Sequence, residues 1–255
     1  MSTFSRRVAL VLFWPGLLAI IAGLIFAATG TGLLPGPVIG GGIVAIALSV
    51  LIHGDLVLGR SPRLFTARGQ VVRGHFQARS GWSSMAVGDC PNDRIAMLRS
   101  SGRPFFESKD GVASLRLKQR VIPPSIAQWQ TGLAGNVLWT VDVHSSTGDM
   151  VLNLTDLRLD RIVASTGAGR MTVACPRRGV VDMALYTGIG EVEIRIPPEV
   201  GVHIKVPRTG LVTVKVENDR LQPYGISEYV TPEFESAPAQ ISIAVQSRAG
   251  DVILT

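Results

Sequence analysis

The sequence predicts an N-terminal two-helix transmembrane hairpin followed by an all-β domain, a β-solenoid (β-helix-like) of about 20-residue repeats. Three observations support it: a charge-free apolar run near the N-terminus, alternating apolar and polar residues in the C-terminal half, and a recurring glycine. The glycines are Gly148, Gly169, Gly190, Gly210 and Gly250, at intervals of 21, 21, 20 and 40 residues. Each precedes a strand-like run, so we interpret it as one tight turn per repeat, and the last interval as two turns.

The hairpin is predicted within residues 1–55. Residues 8–52 contain no Asp, Glu, Lys, Arg or His. Because a bilayer core needs roughly 20 helical residues per crossing, this run fits two spans, Val8–Thr29 and Leu33–Ile52, separated by helix-breaking Gly and Pro residues. A cleaved signal peptide is the competing interpretation, but the apolar run is too long and a second apolar segment follows.

The orientation of the hairpin follows from its flanking arginines. Arg6 and Arg7 precede the first span, the turn between the spans carries no charge, and several arginines follow the second span. By the positive-inside rule, both termini lie in the cytoplasm of a bacterial-type cell, with the chain in the inner (cytoplasmic) membrane.

A basic connector is predicted over residues 56–80, where no acidic residue follows Asp55 until Asp89. Its position after a membrane helix makes lipid headgroups candidate partners of Arg60, Arg63 and Arg68. An ordinary solvated connector that obeys the positive-inside bias is an equally good interpretation, because the arginines are spread rather than clustered.

The β-domain is predicted over residues 81–255, with regular repeats from about residue 137. Residues 191–196 illustrate the pattern, since apolar and charged side chains alternate along them. Residues 81–135 are less regular and fit an irregular first turn or cap, with a strand near 112–121 and a short helix or none at 124–130. Residues 218–240, which contain three prolines, are expected to leave the stack as a loop.

Small residues recur every four positions in the two membrane segments, where they would let helix backbones approach closely. They either pack the two helices against each other or form a docking face for another membrane protein. The residues are Ala19, Gly23 and Ala27 in the first segment, and Gly41, Ala45 and Ser49 in the second.

No catalytic, cofactor or metal site is predicted. The glycine pairs at 167–169 and 188–190 resemble phosphate loops, but strand-like residues follow them and they recur with the repeat. Four scattered histidines, His53, His75, His144 and His203, lack metal-ligand spacing. The position after the turn glycine is Asp149 and Asp251 in two repeats but Arg170, Glu191 and Leu211 in the others, so no carboxylate recurs regularly, which disfavours calcium.

The remaining composition also argues against several classes of function. The formal net charge is only +6, too mild for a nucleic-acid-binding protein. The two cysteines, Cys90 and Cys175, are far apart, and two free thiols are a plainer interpretation than a disulfide.

Several motifs resemble the C-terminal domain of LiaF-like membrane proteins and the related adhesin-like, or toast-rack, β-domains. They are Ser-Thr-Gly-Asp-Met at 146–150, Ser-Thr-Gly-Ala-Gly at 165–169, Cys-Pro at 175–176 and Ile-Pro-Pro-Glu-Val-Gly-Val at 196–202. The similarity extends over about residues 129–216. It implies a tethered β-solenoid-like domain, and the best-understood members are non-enzymatic regulators of a membrane histidine kinase. No functional residue carries over position by position.

The predicted function is a non-enzymatic, membrane-anchored interaction module that holds a cytoplasmic β-solenoid at the inner membrane. Its expected partners are membrane lipids and another integral membrane protein or complex, not nucleic acid. Two roles fit, an accessory subunit of a larger membrane complex and a LiaF-like regulator of a sensor kinase. The alternative is a self-associating structural or adhesin-like scaffold.

Overall fold

A computed structural model describes residues 3–29, 35–53, 63–100, 104–118, 126–207 and 211–255. The chain forms two compact units, one containing Met1–Ser61 and Arg120–Ala127, the other Pro62–Gln119 and Gln128–Thr255. The first unit contains the helices α1 (Thr3–Thr29) and α2 (Pro35–His53). The second contains the β-domain, and the two units are described separately.

The two helices pack closely on each other at a pair of glycines. A methyl group added at Gly16 would lie 2.8 Å from the carbonyl oxygen of Gly42, and one added at Gly42 would lie 2.6 Å from that of Gly16. Both distances are below ordinary van der Waals contact, so only glycine allows this approach. Pro15 lies inside α1, at a position where a helix tends to kink rather than end.

One described helix is long and apolar enough to cross a membrane. Its apolar stretch is Val11–Thr29, with a mean hydropathy of 2.4. The apolar stretch of α2, Gly36–Ser49, is shorter. An N-terminal apolar helix of this kind serves either as a membrane anchor or as a signal sequence.

The β-domain is built from strands that stack side by side, many of them parallel. In chain order the described strands are β1 (Arg63–Ala67), β2 (Arg73–Cys90), β3 (Ala96–Ser100), β4 (Phe105–Lys109), β5 (Val112–Lys118), β6 (Ile126–Ala134), β7 (Leu138–Thr147), β8 (Met150–Asn153), β9 (Arg158–Ala168), β10 (Met171–Ala174), β11 (Val180–Ile189), β12 (Val192–Arg195), β13 (Gly201–Lys205), β14 (Val212–Val216), β15 (Gln222–Pro223), β16 (Glu228–Val230) and β17 (Gln240–Leu254).

Seven strands form one continuous parallel ladder, in the order β5, β2, β7, β9, β11, β17 and β13. One inward position of each strand contributes to a single apolar row, because side chains at matched register lie on the same face. The row consists of Leu115, Phe76, Val141, Ile162, Met183, Ile243 and Ile204, all buried. This row forms the centre of the core.

A second parallel ladder has the order β2, β8, β10, β12, β17 and β14. The strands β2 and β17 take part in both ladders because they are long, at 18 and 15 residues. The buried row of this ladder is Met85, Met150, Met171, Val192 and Val252. Antiparallel strands flank the ladders: β4 pairs with β5, β16 pairs with β13, and β3 pairs with both β1 and β6.

The turns between the two ladders are made by Gly148, Gly169, Gly190 and Gly250, all with positive φ, between 123° and 147°. The amide of Gly169 donates to the Ile189 carbonyl at 3.1 Å, so successive turns are hydrogen-bonded to each other. A Cβ at Gly190 would collide with the Gly169 carbonyl oxygen. Both the conformation and the close stacking therefore require glycine.

The β-domain begins earlier than the sequence analysis placed it. Strands β1 and the first part of β2 lie within the predicted connector at 56–80. Along β2, basic side chains such as Arg73 and Arg79 point outward while Phe76 and Ala78 are buried. This alternation is the reason that an arginine-rich segment forms a strand. Of the two alternatives for residues 124–130, the short helix is wrong, because strand β6 begins at Ile126.

The stacking order of the last turns also differs from their order in the chain. Gly250 packs directly on Gly190, and its amide donates to the Leu211 carbonyl at 2.9 Å. The 40-residue interval that ends at Gly250 is therefore not two successive turns. Strand β17 inserts between β12 and β14, since its length allows it to pair on both sides. Residues 218–240 leave the stack, as predicted, apart from the short strands β15 and β16.

Candidate functional site

A row of polar side chains runs across five neighbouring strands on the outward face of the first ladder. We call it the polar row; its members are Arg79, His144, Ser165, Tyr186 and Gln246, at matched register. Neighbouring strands are about 4.8 Å apart, so adjacent side chains can touch. The Nδ1 atom of His144 lies 2.5 Å from the Oγ atom of Ser165.

A second outward row lies at the bend where the two ladders meet. This corner row consists of Trp82, Thr147, Ala168, Ile189 and Ala249. Trp82 is 48% exposed and Ile189 is 65% exposed, although both are large apolar side chains. The polar row and the corner row together are called the ladder face.

A trough of about 550 Å³ runs along the ladder face. Gly167 and Gly188 are part of its lining, and they stack closely on the neighbouring strands: a Cβ on Gly167 would collide with the Ser146 carbonyl oxygen, and one on Gly188 with the Gly167 carbonyl oxygen. Its lining residues are His144, Ser165, Thr166, Gly167, Tyr186, Thr187, Gly188, Pro207, Gln246, Ser247 and Arg248. A smaller hollow of about 270 Å³ adjoins it at Arg79 and Asp142.

The charges around the trough are unevenly compensated. Asp142 accepts a hydrogen bond from the Gln77 amide at 2.9 Å and lies 3.5 Å from the Arg79 guanidinium. Among the residues that the structure describes, the trough is lined by one arginine, Arg248, and by no Asp or Glu. Among the described residues, Arg248 has no carboxylate partner. The trough therefore presents uncompensated positive charge.

A ladder of buried hydroxyls lies beneath the trough, formed at matched register by Ser80, Ser145, Thr166, Thr187 and Ser247. The Thr166 hydroxyl donates to the carbonyls of Gly148 and Ala168, at 3.2 and 3.3 Å. Thr187 departs from this pattern: it is 4% exposed, and its Oγ1 has no hydrogen-bond partner in the described part of the chain. A buried hydroxyl without a partner is costly, and this one lies on the inward face of β11 with Met183 and Leu185.

The trough, the polar row and the hydroxyl ladder were not predicted from the sequence. A signal for the ladder is nevertheless present, because a Ser or Thr stands three residues before each turn glycine. The pairs are Ser145 and Gly148, Thr166 and Gly169, Thr187 and Gly190, and Ser247 and Gly250. His144, considered only as a metal or catalytic candidate, is a member of the polar row.

The predicted helix-packing residues occupy both buried and exposed positions within the helical unit. Gly23 faces Ile39 of α2, Ser49 is buried, and Ala45 lies close to Gly16. Ala19 is half-buried, Ala27 is exposed, and a methyl group on Gly41 would meet no atom within 4 Å. The contact in this unit thus runs through Gly16, Gly23 and Gly42 rather than through all six predicted residues.

Some of the predicted lipid-contacting arginines and turn glycines lie within the described residues, and others lie outside them. Arg63 begins β1 opposite Ser100, and Arg68 is exposed just after that strand. Arg60 and Gly210 lie outside the described residues. The other predicted turn glycines occupy the turns between the ladders, as given above.

The titratable groups provide little reactive chemistry. Both cysteines are free and buried, and burial raises the pKa of Cys175 to about 12. The pKa of Cys90 is also raised, by burial and then by Asp89 and Asp93. Protonated, buried thiols are poor nucleophiles. Among the described residues, no group of three His, Cys, Asp or Glu side chains could hold a metal ion.

One surface cluster is ionic. Glu228 binds Lys205 at 3.0 Å and His203 at 2.9 Å, and the pKa of its carboxyl is lowered, first by Lys205 and then by His203. His203 also packs its ring against Tyr224 and Phe234, with centroids 6.2 and 5.8 Å away. The cluster joins β13 to β16, which is a structural role.

Part of the β-domain is similar to a known family. Residues 106–195 match the family model described as the N-terminal domain of toast_rack, DUF2154. The resemblance inferred from the sequence to toast-rack, adhesin-like β-domains is therefore confirmed. No curated protein matches the sequence.

Two solved structures are similar to the chain. The crystal structure of a candidate cell adhesion protein from Clostridium sporogenes is 14% identical, with a TM-score of 0.63, over 76% of this chain and 98% of that chain. At this identity the match shows a shared fold. A candidate adhesin from Bacteroides fragilis is 12% identical over 77% of this chain and 100% of that chain, and its TM-score of 0.20 is too low to indicate a shared fold.

Proposed function

We propose that the chain is a non-enzymatic, membrane-anchored scaffold whose β-domain binds another protein through the ladder face. The observation that carries this proposal is the exposure of Trp82 and Ile189 in the corner row. Exposed apolar side chains next to polar ones are typical of protein contact sites, and aromatic residues are enriched there. Tyr186, 38% exposed, adds an aromatic group in the polar row, on the same strand as Ile189.

The backbone beneath this face supports the same function. Trp82 lies on β2 and Ile189 on β11, two strands of the parallel ladder that are separated by β7 and β9. Three strand spacings place the two backbone positions about 14 Å apart. Because the ladder fixes these positions before binding, a partner loses little free energy in ordering the surface.

The anchor in this proposal is the helical unit, with α1 and α2 each crossing a bacterial inner membrane and both termini in the cytoplasm. We expect an alkaline phosphatase fused after Thr255 to be inactive and a fluorescent protein fused there to be bright, because only the latter matures in the cytoplasm. A fusion at residue 32, between the helices, provides the opposite control. Active phosphatase after Thr255 would reverse the orientation and remove a cytoplasmic partner from consideration.

The binding function is tested by co-purification of the tagged full-length chain in mild detergent. We expect one protein to be recovered in a fixed ratio, and Ile189→Asp to reduce its recovery by roughly tenfold, because a charge replaces an apolar contact at the interface. Val180→Asp is the matched control, since Val180 lies on the same strand and is 72% exposed. Recovery that falls equally in both variants would contradict a site on the ladder face.

The identity of the recovered protein separates the finer roles. A sensor kinase would favour a LiaF-like regulator, and a large membrane assembly would favour an accessory subunit.

Self-association is the second candidate, favoured by β14, which among the described strands pairs only with β17 and leaves Val216 exposed. The fold shared with a candidate cell adhesion protein also supports it. Recovery of copies of the chain alone, in concentration-dependent oligomers, would replace the leading proposal with this one.

A further inference from the structure

The dimensions of the trough suit an extended segment of polypeptide. The polar row crosses β7, β9, β11 and β17 between His144 and Gln246, so three strand spacings give a length of about 14 Å. An extended chain rises about 3.3 Å per residue, so roughly four residues fit along it. Gly167 and Gly188 add no side chain to the lining of the trough.

The charge of the trough indicates an acidic ligand. Arg248 is exposed and has no carboxylate partner among the described residues, whereas Arg79 is compensated by Asp142 and Arg170 is paired with Glu191 at 3.0 Å. A carboxylate placed on Arg248 would form a charge-assisted hydrogen bond. Since Arg248 is the one Arg or Lys among the described lining residues, a carboxylate suits the trough better than a phosphate, which proteins usually bind with several basic groups or helix amides.

The hydrogen-bonding groups of the trough are consistent with such a ligand. Tyr186 and Gln246 line the trough on its outward side, where they offer a hydroxyl and an amide for hydrogen bonds. A peptide backbone alternates donors and acceptors and can bond to these groups along its length.

We propose that the trough binds an extended acidic segment of the protein partner, with one carboxylate of that segment held by Arg248. This inference rests on the proposed function. The acidic residues of the partner would then determine specificity, while the corner row supplies apolar contact area. Free carboxylates and inorganic phosphate share part of this chemistry, so both are included in the test.

The test measures binding of a dye-labelled, capped hexapeptide, in which glutamate alternates with valine, to the full chain in detergent by fluorescence anisotropy. We expect its affinity to exceed that of the peptide with glutamine in place of glutamate by roughly tenfold, and Arg248→Gln to abolish the difference. Arg161→Gln, on the outward side of β9 four residues from Ser165, is the matched control and should leave affinity unchanged.

Equal affinities for the two peptides, or an unchanged affinity in Arg248→Gln, would overturn the inference. So would competition by phosphate or free glutamate as effective as that of the glutamate peptide, since the trough would then be a general anion site. A failure of the proposed function is recognised separately, because Ile189→Asp would then leave partner recovery unchanged. Partner recovery that is lost in Ile189→Asp and unaffected by Arg248→Gln would reject the acidic segment alone.

Discussion

Replacing Gly190 with alanine is expected to lower the free energy of unfolding of the β-domain by about 3 kcal/mol or more. Two effects combine at this residue. Its φ of 147° is one that side-chain-bearing residues rarely adopt, and the new Cβ would collide with the Gly169 carbonyl oxygen. The Gly190 turn cannot move away freely, because on its other side its amide donates to the Ala249 carbonyl, in the turn of Gly250, at 3.0 Å. Urea unfolding, followed by circular dichroism on the full chain in detergent, measures the loss.

Substitutions at two further glycines separate the cost of backbone strain from the cost of the steric collision. Gly111 has a φ of 75° with no atom near the position of a Cβ, so Gly111→Ala isolates the backbone strain, about 1–2 kcal/mol. At Gly88 the nearest atom would be 3.8 Å from a Cβ, and we expect Gly88→Ala to change stability little. A loss at Gly190 no larger than that at Gly111 would contradict the close stacking of the turns.

Truncating Trp139 to alanine should cost about 3–5 kcal/mol of unfolding free energy. The side chain is 0% exposed, its indole N–H donates to the Ala134 carbonyl at 3.0 Å, and its ring occupies the space over Gly74 on the neighbouring strand β2. Trp139→Phe keeps most of the ring volume but removes the donor, and should cost about 1–3 kcal/mol. The same urea titration measures both variants.

Trp82 provides the matched control for this prediction. It lies on the corner row and is 48% exposed, so Trp82→Ala should change stability by about 0.5 kcal/mol or less. Equal losses at the two tryptophans would mean that Trp82 belongs to the core rather than to an exposed face. That result would also weaken the argument for binding through the ladder face.

Local alternation was sufficient to predict the strands after residue 137, because buried and exposed positions differ strongly there. The glycine spacing also reappears in the register, where Met150 pairs with Met171 and Met171 with Val192. The same alternation was present around Phe76, but its outward arginines were interpreted as a connector. That interpretation gave more weight to the number of arginines than to the alternation of apolar and polar residues, although charged side chains are expected on the solvated face of a strand.

Other features depended on contacts between segments that are distant in sequence. The position of β17 between β12 and β14 follows from pairing on both sides of one long strand, which spacing along the chain does not reveal. The trough likewise arises when His144, Ser165, Tyr186 and Gln246 are brought to one register. No single segment contains the site, and only the Ser or Thr before each turn glycine is visible in the sequence.

Binding of another protein by the ladder face is measured by the amount of partner recovered per chain from matched detergent extracts. We expect roughly a tenfold loss for Ile189→Asp and no loss for Val180→Asp, with both variants as stable as the unaltered chain. Equal recovery from Ile189→Asp and the unaltered chain would contradict it.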